Sequence, residues 1–321
     1  ISPRLEQLVL KTLAREVEDR YQWASELAQD LEPFLTEDKQ IFTMKRLAAA
    51  MKETYAAEIA LEDVRVPNAN IIGGTPGEDF PADFIAYMRE HLDEVEAGLN
   101  SQVQTNEVGR SVVPLALAHW LTWFGVEEYD HLEVGASAGL NLNFDRFYAG
   151  VRTLRMGDPD SALRFNGEWF ADMPPVPKSA ARVVRRRGVD PYPIDVTKPD
   201  QELRLLSFVW PDQRERMARI RSAIDIAQRH PPVIDTDSAD RWLRTQLGRT
   251  PERATVVFHS IVWQYLGTDV QNAMREALHE AGARATAAKP LVWARMEPAG
   301  PVADVRATVW MGGKPNEHVL A

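Results

Sequence analysis

The stretch HLEVGASAGLNLNFDRF, from His131 to Phe147, holds residue types and spacings from which chemistry can be built. Two patterns overlap in it. Gly135-Ala136-Ser137-Ala138-Gly139 is a literal G-x-S-x-G, the turn that presents a hydrolase serine as nucleophile. Glu133, two residues before Gly135, makes the same stretch an acid-plus-glycine loop. Gly135 and Gly139 would let a nucleotide-like ligand approach the backbone, with the N–H groups of the next helix aimed at it. A hydrolase elbow has no use for Glu133, and it needs an earlier strand for its oxyanion loop, where only helical patterns occur.

Further acids stand where strands are expected to end. Asp190 closes the second predicted strand, placed to accept ribose hydroxyls, and Asp235 and Asp237 close the third, placed to meet an adenine edge. Taken singly, each is a helix cap or turn former; four acids at successive strand ends favour a site. Asn141, just past the second glycine, and Ser137 within the loop join the cofactor-facing set. In QTNEVGR (104–110), Arg110 offers a bidentate bond to a cofactor carboxylate, while Asn106 offers a cap for the helix that follows. His259, at the end of the fourth predicted strand, is a candidate general base; Glu297, ending the fifth, is a second. The plainer reading of a lone strand-end histidine is a satisfied packing residue.

These residues need a scaffold. Short apolar runs, HLEVGA, ARVVRRRGVD, PPVIDTD, ATVVFHS, PLVWARMEP and VRATVWMGG, alternate with amphipathic segments such as PDQRERMARIRSAIDIAQR and DVQNAMREALHEAG. That alternation predicts an α/β fold with a doubly wound, mostly parallel, Rossmann-like sheet. Within 148–180, RTLRM-GDPD-SALRF reads as an inserted hairpin. Ahead of the sheet, Leu5, Leu8, Leu13, Trp23, Leu27 and Leu31 recur at near-helical spacing. Pro67, Gly73-Gly74 and Pro76-Gly77 then break regular structure. We therefore expect a helical segment over 1–65 and an α/β domain over 66–321.

Composition narrows the function. The 321 residues carry 47 acidic against 37 basic side chains, a net charge of −10 that opposes nucleic-acid binding. Arg182, Arg185, Arg186 and Arg187 form the densest basic patch and read as a solvated edge. The absence of cysteine argues for a cytoplasmic setting, and the scattered histidines argue against a metal site. No apolar run is long enough to span a membrane. The chain begins at Ile1 without methionine and is expected to be a piece of something longer.

The order of acids and glycines resembles the core of class I S-adenosylmethionine-dependent methyltransferases. More narrowly, QTNEVGR, LEVGASAGLNLNFDRF, RRRGVDPYPIDVTKPDQ, FVWPDQRERMARIRSAI, VVFHSIVWQYL and ARMEPAG…VRATVWMGG resemble, from about Asn70 onward, a bacterial family known only as domain of unknown function 2332. The resemblance implies a cofactor-binding core, with S-adenosylmethionine expected and the reaction left open. By the same comparison, the family's amino-terminal helical region is replaced and its closing segment after Ala321 is missing. LVLKTLAREVEDRYQWASELAQDLEPFL is similar to the last helices of a bacterial serine/threonine kinase, where the arginine matching Arg20 pairs with a glutamate. No H-R-D, D-F-G or Gly-rich ATP loop accompanies it. Three readings stand: a methyltransferase-like enzyme on a small molecule, a non-catalytic nucleotide-like ligand module with a protein partner at its amino-terminal helices, and a serine esterase.

Overall fold

The computed structural model describes Lys11 and Asp30, both helical, and residues 104–151, 154–165, 176–209, 213–299 and 302–320. The chain divides into two compact units, Ile1–Val103 and Gln104–Ala321. The helices expected over 1–65, apart from those two residues, and the break at 67–77 lie outside the described residues.

In the second unit the elements run α1 (Val112–Trp120), β1 (Glu128–Val134), β2 (Tyr148–Val151), β3 (Leu154–Gly157), β4 (Arg164–Phe165), β5 (Arg182–Asp190), α2 (Pro199–Ser207), α3 (Arg214–Arg229), β6 (Ile234–Thr236), α4 (Ala239–Leu247), β7 (Ala254–Ser260), α5 (Thr268–Arg284), β8 (Leu291–Ala299), β9 (Val302–Trp310) and β10 (Asn316–Val319). Seven strands form one sheet in the order β10-β9-β8-β7-β1-β5-β6. β6, β5, β1, β7 and β8 are parallel neighbours; β9 returns antiparallel to β8, and β10 antiparallel to β9. The chain steps outward from β1 to β6, then crosses back to place β7 on β1's other side. Ligands of open α/β sheets sit at the carboxyl ends of the strands flanking such a reversal.

Side chains alternate between two faces, and both faces are covered. Val256 and Phe258 of β7, with Val292 and Ala294 of β8, pack into one core with α1, α2 and α3. Val257, Leu291 and Trp293 point the other way, into a core with α4 and α5. A strand buried on both faces needs apolar residues at consecutive positions, which is why ATVVFHS and PLVWARMEP read as runs. α2 escaped the sequence reading because it is short. Pro199 starts it, Asp200 and Glu202 suit its first turn, and only Leu205 and Leu206 are buried.

Two expectations are corrected. The inserted hairpin pairs Tyr148–Val151 with Leu154–Gly157, so GDPD is not its turn. Arg164–Phe165 instead joins β2 in parallel, completing a three-stranded sheet. Within GDPD, Asp158 turns the chain by accepting the Asp160 N–H on its side chain and the Ser161 N–H on its carbonyl. The arginine-rich strand β5 is interior, between β1 and β6, and is not a solvated edge. Its guanidinium groups are met individually: Arg186 by a bidentate pair with Asp145, Arg187 by one with Asp235, Arg185 by Gln246 and Arg182 by Glu128.

One feature of β1 departs from ordinary core design. Tyr129, His131 and Glu133 alternate onto the same face and are all buried. Neither ring nitrogen of His131 has a hydrogen-bond partner, and the ring sits among Tyr129, Phe144 and Phe258. Burial, reinforced by Arg186, pushes His131 down to about 3 from its ordinary 6.5. The folded protein therefore refuses a proton that the unfolded chain takes up below 6.5, and stability is lost as pH falls from 6.5 toward 3. His131→Leu should leave stability at pH 7 equal or higher, since an unmet buried polar group costs about 1–3 kcal/mol. It should also flatten the acid slope by up to about 1.4 kcal/mol per pH unit. Urea unfolding at pH 7 and pH 4 checks this; a variant less stable at both values would show that the ring is needed as it stands.

Candidate functional site

The polar segment QTNEVGR lies as a strap across the carboxyl ends of three strands. Gln104 Nε2 donates to Asp190 Oδ1 at 2.9 Å and to the Tyr192 carbonyl at 3.0 Å, beyond β5. Asn106 Oδ1 accepts the Leu140 N–H at 3.1 Å, in the loop after β1. Arg110 Nη1 donates to the Ser260 carbonyl at 3.0 Å, at the end of β7. Asn141 anchors the strap from below: its Nδ2 donates to the Glu107 carbonyl and its Oδ1 accepts the Ser111 hydroxyl at 2.6 Å. Asn141 thus holds other parts of the site in place. The helical turn after the strap is capped by Glu107, which accepts the Gly109 N–H and pairs with Arg216 of α3; Asn106 caps the turn beginning at Leu140 instead.

The glycine loop is tightly built. Gly135 and Gly139 have φ of +72° and +67°, and Ser137 shares that left-handed region at +53°. The Gly135 and Ala136 N–H groups both donate to the Val189 carbonyl, and the Ser137 N–H donates to Asp190 Oδ2 at 2.9 Å. A Cβ at Gly135 would lie 2.5 Å from Val262 Cγ2, and one at Gly139 would lie 2.8 Å from Pro232 and Ile234. The close approach that these glycines permit is taken by the chain's own side chains. Asp190 is already engaged by three donors, from Gln104, Tyr192 and Ser137. Asp237 stands at the start of α4, where it accepts from the Ser238 N–H and pairs with Arg241 at 2.6 Å. Hydrogen bonds from Arg241 and Ser238 hold its carboxyl below the usual range. Asp237 is a turn residue ahead of the N-cap Ser238, and Asp235 clamps Arg187 and the Trp242 indole.

The two candidate bases are partners. His259 Nδ1 lies 2.6 Å from Glu297 Oε1, an oxygen that also accepts the Val262 and Trp263 N–H groups. Adjacent parallel strands bring them together: β7 ends with His259-Ser260, in register with Arg295-Met296 of β8. Trp263 stacks on the imidazole at 5.3 Å, with Arg275 over its own ring. His259 is fully buried and its Nε2 has no partner. Ser137 Oγ is likewise unpartnered, so the serine–histidine bond of a nucleophile elbow is not made.

Glu133 is 2% exposed, and its Oε2 has no partner. Burial pushes its carboxyl up to about 8; Arg110 opposes that rise and Asp190 adds to it. Arg110 is itself lowered by burial, against the pull of Glu107 and Glu297. The unmet buried atoms at this end of the sheet are Gln104 Oε1, Glu133 Oε2, Ser137 Oγ, His259 Nε2 and Glu297 Oε2. The non-glycine residues with left-handed backbone among the described residues, Asn106, Ser137 and Ile261, flank the same strand ends. Unmet polar atoms and backbone strain each cost free energy, and together they mark a place kept for something other than stability. Ile261 left no trace in the sequence, because a β-branched residue at φ +50° is a backbone fact that composition does not reveal.

Among the described residues no cluster of three metal-ligating side chains occurs, and no helix is long and apolar enough to cross a membrane. No curated protein and no solved structure matches the chain. The bacterial family described as "Uncharacterized protein conserved in bacteria (DUF2332)" matches residues 6–321. The match begins at Glu6, so it takes in the amino-terminal stretch that was expected to replace the family's own, as well as the motifs from Asn70 onward. With nearly its whole length in that match, the chain belongs to this family of uncharacterized bacterial proteins.

Proposed function

We propose that the protein is a methyltransferase-like enzyme acting on a small molecule, with His259 as general base and Glu297 as the group that orients it. The observation carrying this reading is the His259–Glu297 contact at the carboxyl ends of β7 and β8, where the strand order reverses. A carboxylate only accepts, so Glu297 fixes the hydrogen on Nδ1 and leaves the Nε2 lone pair free. Nε2 would take the proton from a substrate hydroxyl or amine, and Glu297 would stabilise the resulting imidazolium. The ring is sealed, so access requires a cover to move. The segment Ile261–Leu266, strained at Ile261 and packed on the ring through Trp263, is the natural one.

S-adenosylmethionine suits one end of this site better than the other. Glu133 and Arg110 complement the ammonium and carboxylate of its amino-acid portion. Asp190 keeps acceptor capacity for one further hydroxyl, because a carboxylate has about four lone-pair positions. Asp237, tied to Arg241, offers nothing to an adenine. When bound, the cofactor would supply an electrophilic methyl group. The closed glycine loop favours a second reading, a binding module that responds to an amino-acid-like ligand without turnover.

Calorimetric titration with S-adenosylmethionine and S-adenosylhomocysteine, with ATP and NAD as controls, separates these readings. Both adenosyl compounds should bind, and Glu133→Gln or Arg110→Lys should weaken them. His259→Ala should keep affinity while turnover falls about 100- to 10,000-fold. Affinity for ATP or NAD alone would overturn the cofactor assignment; binding without turnover across acceptors would favour the module.

A cation beside Glu133 should also draw its carboxyl back to the ionised form, so binding below pH 8 should release a proton. Titrations in buffers of different ionisation enthalpy read that proton, and Glu133→Gln should abolish it. In the free protein the same carboxyl is raised from 4.5 to about 8, so its contribution to stability is present below 4.5 and lost as pH rises toward 8. Glu133→Gln should remove that loss in urea unfolding; an unchanged pH profile would mean that Glu133 is ionised in the folded state.

A further inference from the structure

The opposite, amino-terminal edge of the sheet holds a cavity of about 200 Å³, between the last turns of α4 and α5 and the first residues of β7 and β8. Its floor is apolar, from Leu132, Leu247, Ala285 and Leu291, and its walls are not. Five cationic side chains, Arg185, Arg249, Arg253, Arg284 and Lys289, face two carboxylates, Asp130 and Glu252. In a chain of net charge −10 that local excess is a marked inversion of sign.

Internal pairing does not cancel it. Asp130 and Glu252 are both taken up by Arg253, and Asp130 lies 3.7 Å from Arg185. Among the described residues Arg249, Arg284 and Lys289 have no carboxylate partner. Arg284 Nη2 donates to the Leu247 carbonyl at 2.9 Å and Lys289 Nζ to the Pro251 carbonyl at 2.9 Å. A carbonyl holds a cation in position without neutralising it. A plainer role for Arg284 is to satisfy the carbonyls that end α4 and α5, and it does so through Leu247 and Glu280. That role leaves further N–H donors on its guanidinium, and it does not account for Lys289 or for Arg249, exposed at the rim. The two helix ends contribute about half a negative charge each, so an excess of three positive charges falls to about two.

We infer that this cavity is a binding site for a small multivalent anion of pyrophosphate size. Its volume holds roughly six waters at about 30 Å³ each. Guanidinium forks bind phosphoryl oxygens in pairs, and the apolar floor lowers the local dielectric and strengthens each contact. The site is distinct from the His259–Glu297 centre and does not depend on that centre's chemistry. It touches the beginnings of β7 and β8, and Asp130 and Leu132 of β1, the strands whose far ends carry His259, Glu297 and Glu133.

Inorganic pyrophosphate and inorganic phosphate, titrated by calorimetry at fixed ionic strength, test this on the full chain. Pyrophosphate should bind more tightly than phosphate, and affinity should fall as salt rises. The double variant Arg249→Glu/Lys289→Glu should weaken pyrophosphate about tenfold or more. Lys178→Glu, an exposed lysine that does not line the cavity, should leave binding unchanged. Circular dichroism establishes that the double variant is folded; if it is not, Arg249→Ala alone carries the test, because that exposed side chain makes no hydrogen bond or ion pair among the described residues. Absence of pyrophosphate binding by the wild type, or equal loss with Lys178→Glu, would overturn the site.

Discussion

Taking the Arg110 guanidinium out of water costs several kcal/mol unless charges and carbonyls meet it, and the arrangement around it follows from that demand. Arg110 comes from the strap, and its partners come from separate elements: the Ser260 carbonyl from β7, the field of Glu297 from β8 and that of Glu107 from the strap. The cation settles only if the strap lies across the strand ends, and the strap can lie there only if Gln104, Asn106 and Asn141 meet the polar backbone beneath it. One half-buried charge thus helps to tie the strap across the strand ends. The compensation is incomplete by design of the fold: Glu133 Oε2 and Glu297 Oε2 remain unmet. Replacing Glu133 with an apolar residue would remove a desolvation cost, so stability does not account for its presence.

The two ends of the sheet show what each is for. At the arginine-rich strand β5, each guanidinium finds an acid or amide, and the short bidentate pairs with Asp145 and Asp235 leave little unmet. Such saturated pairs position strands. At the carboxyl ends of β1, β7 and β8, hydrogen bonds converge on single atoms and leave neighbouring atoms bare. Glu297 illustrates this, with Oε1 receiving His259, Val262 and Trp263 while Oε2 receives nothing. This carboxylate is held by one oxygen, with the other buried and unmet.

Most of the sheet was legible because strands buried on both faces must be apolar at consecutive positions, and the runs at 254–260 and 291–299 satisfy nothing else of that length. β10 was not legible, since an edge strand reading Asn316-Glu317-His318-Val319 has no buried face to impose a pattern. For the candidate site, residue type alone singled out His259, Glu297, Glu133 and Arg110, and the structure places them at the carboxyl ends of the strands. Roles that depend on geometry were not legible. Asp190 ends β5 and Asp237 follows β6, yet one lies under the strap with three donors and the other is paired with Arg241 ahead of α4, a difference created by Gln104 and Arg241. The glycines were recognised as permitting close approach, but a sequence does not say that Val262 and Pro232 would be what approaches.

The buried row on β1 also fixes a pH window, because its two titratable members act in opposite directions. His131, depressed from 6.5 to about 3, makes stability climb with pH across that range. Glu133, raised from 4.5 to about 8, makes it decline across its own. Between 4.5 and 6.5 the slopes have opposite sign and similar size, up to about 1.4 kcal/mol per pH unit each, so they cancel. The pair therefore contributes a plateau over that interval, falling away on the acid side through His131 and on the alkaline side through Glu133. The difference in unfolding free energy between the wild type and a His131→Leu/Glu133→Gln double variant isolates this contribution from every other titrating group. Measured from pH 3.5 to 8.5, that difference should be flat in the middle and bend at both ends. A difference sloping one way throughout would mean that only one of the two residues is buried in its uncharged form.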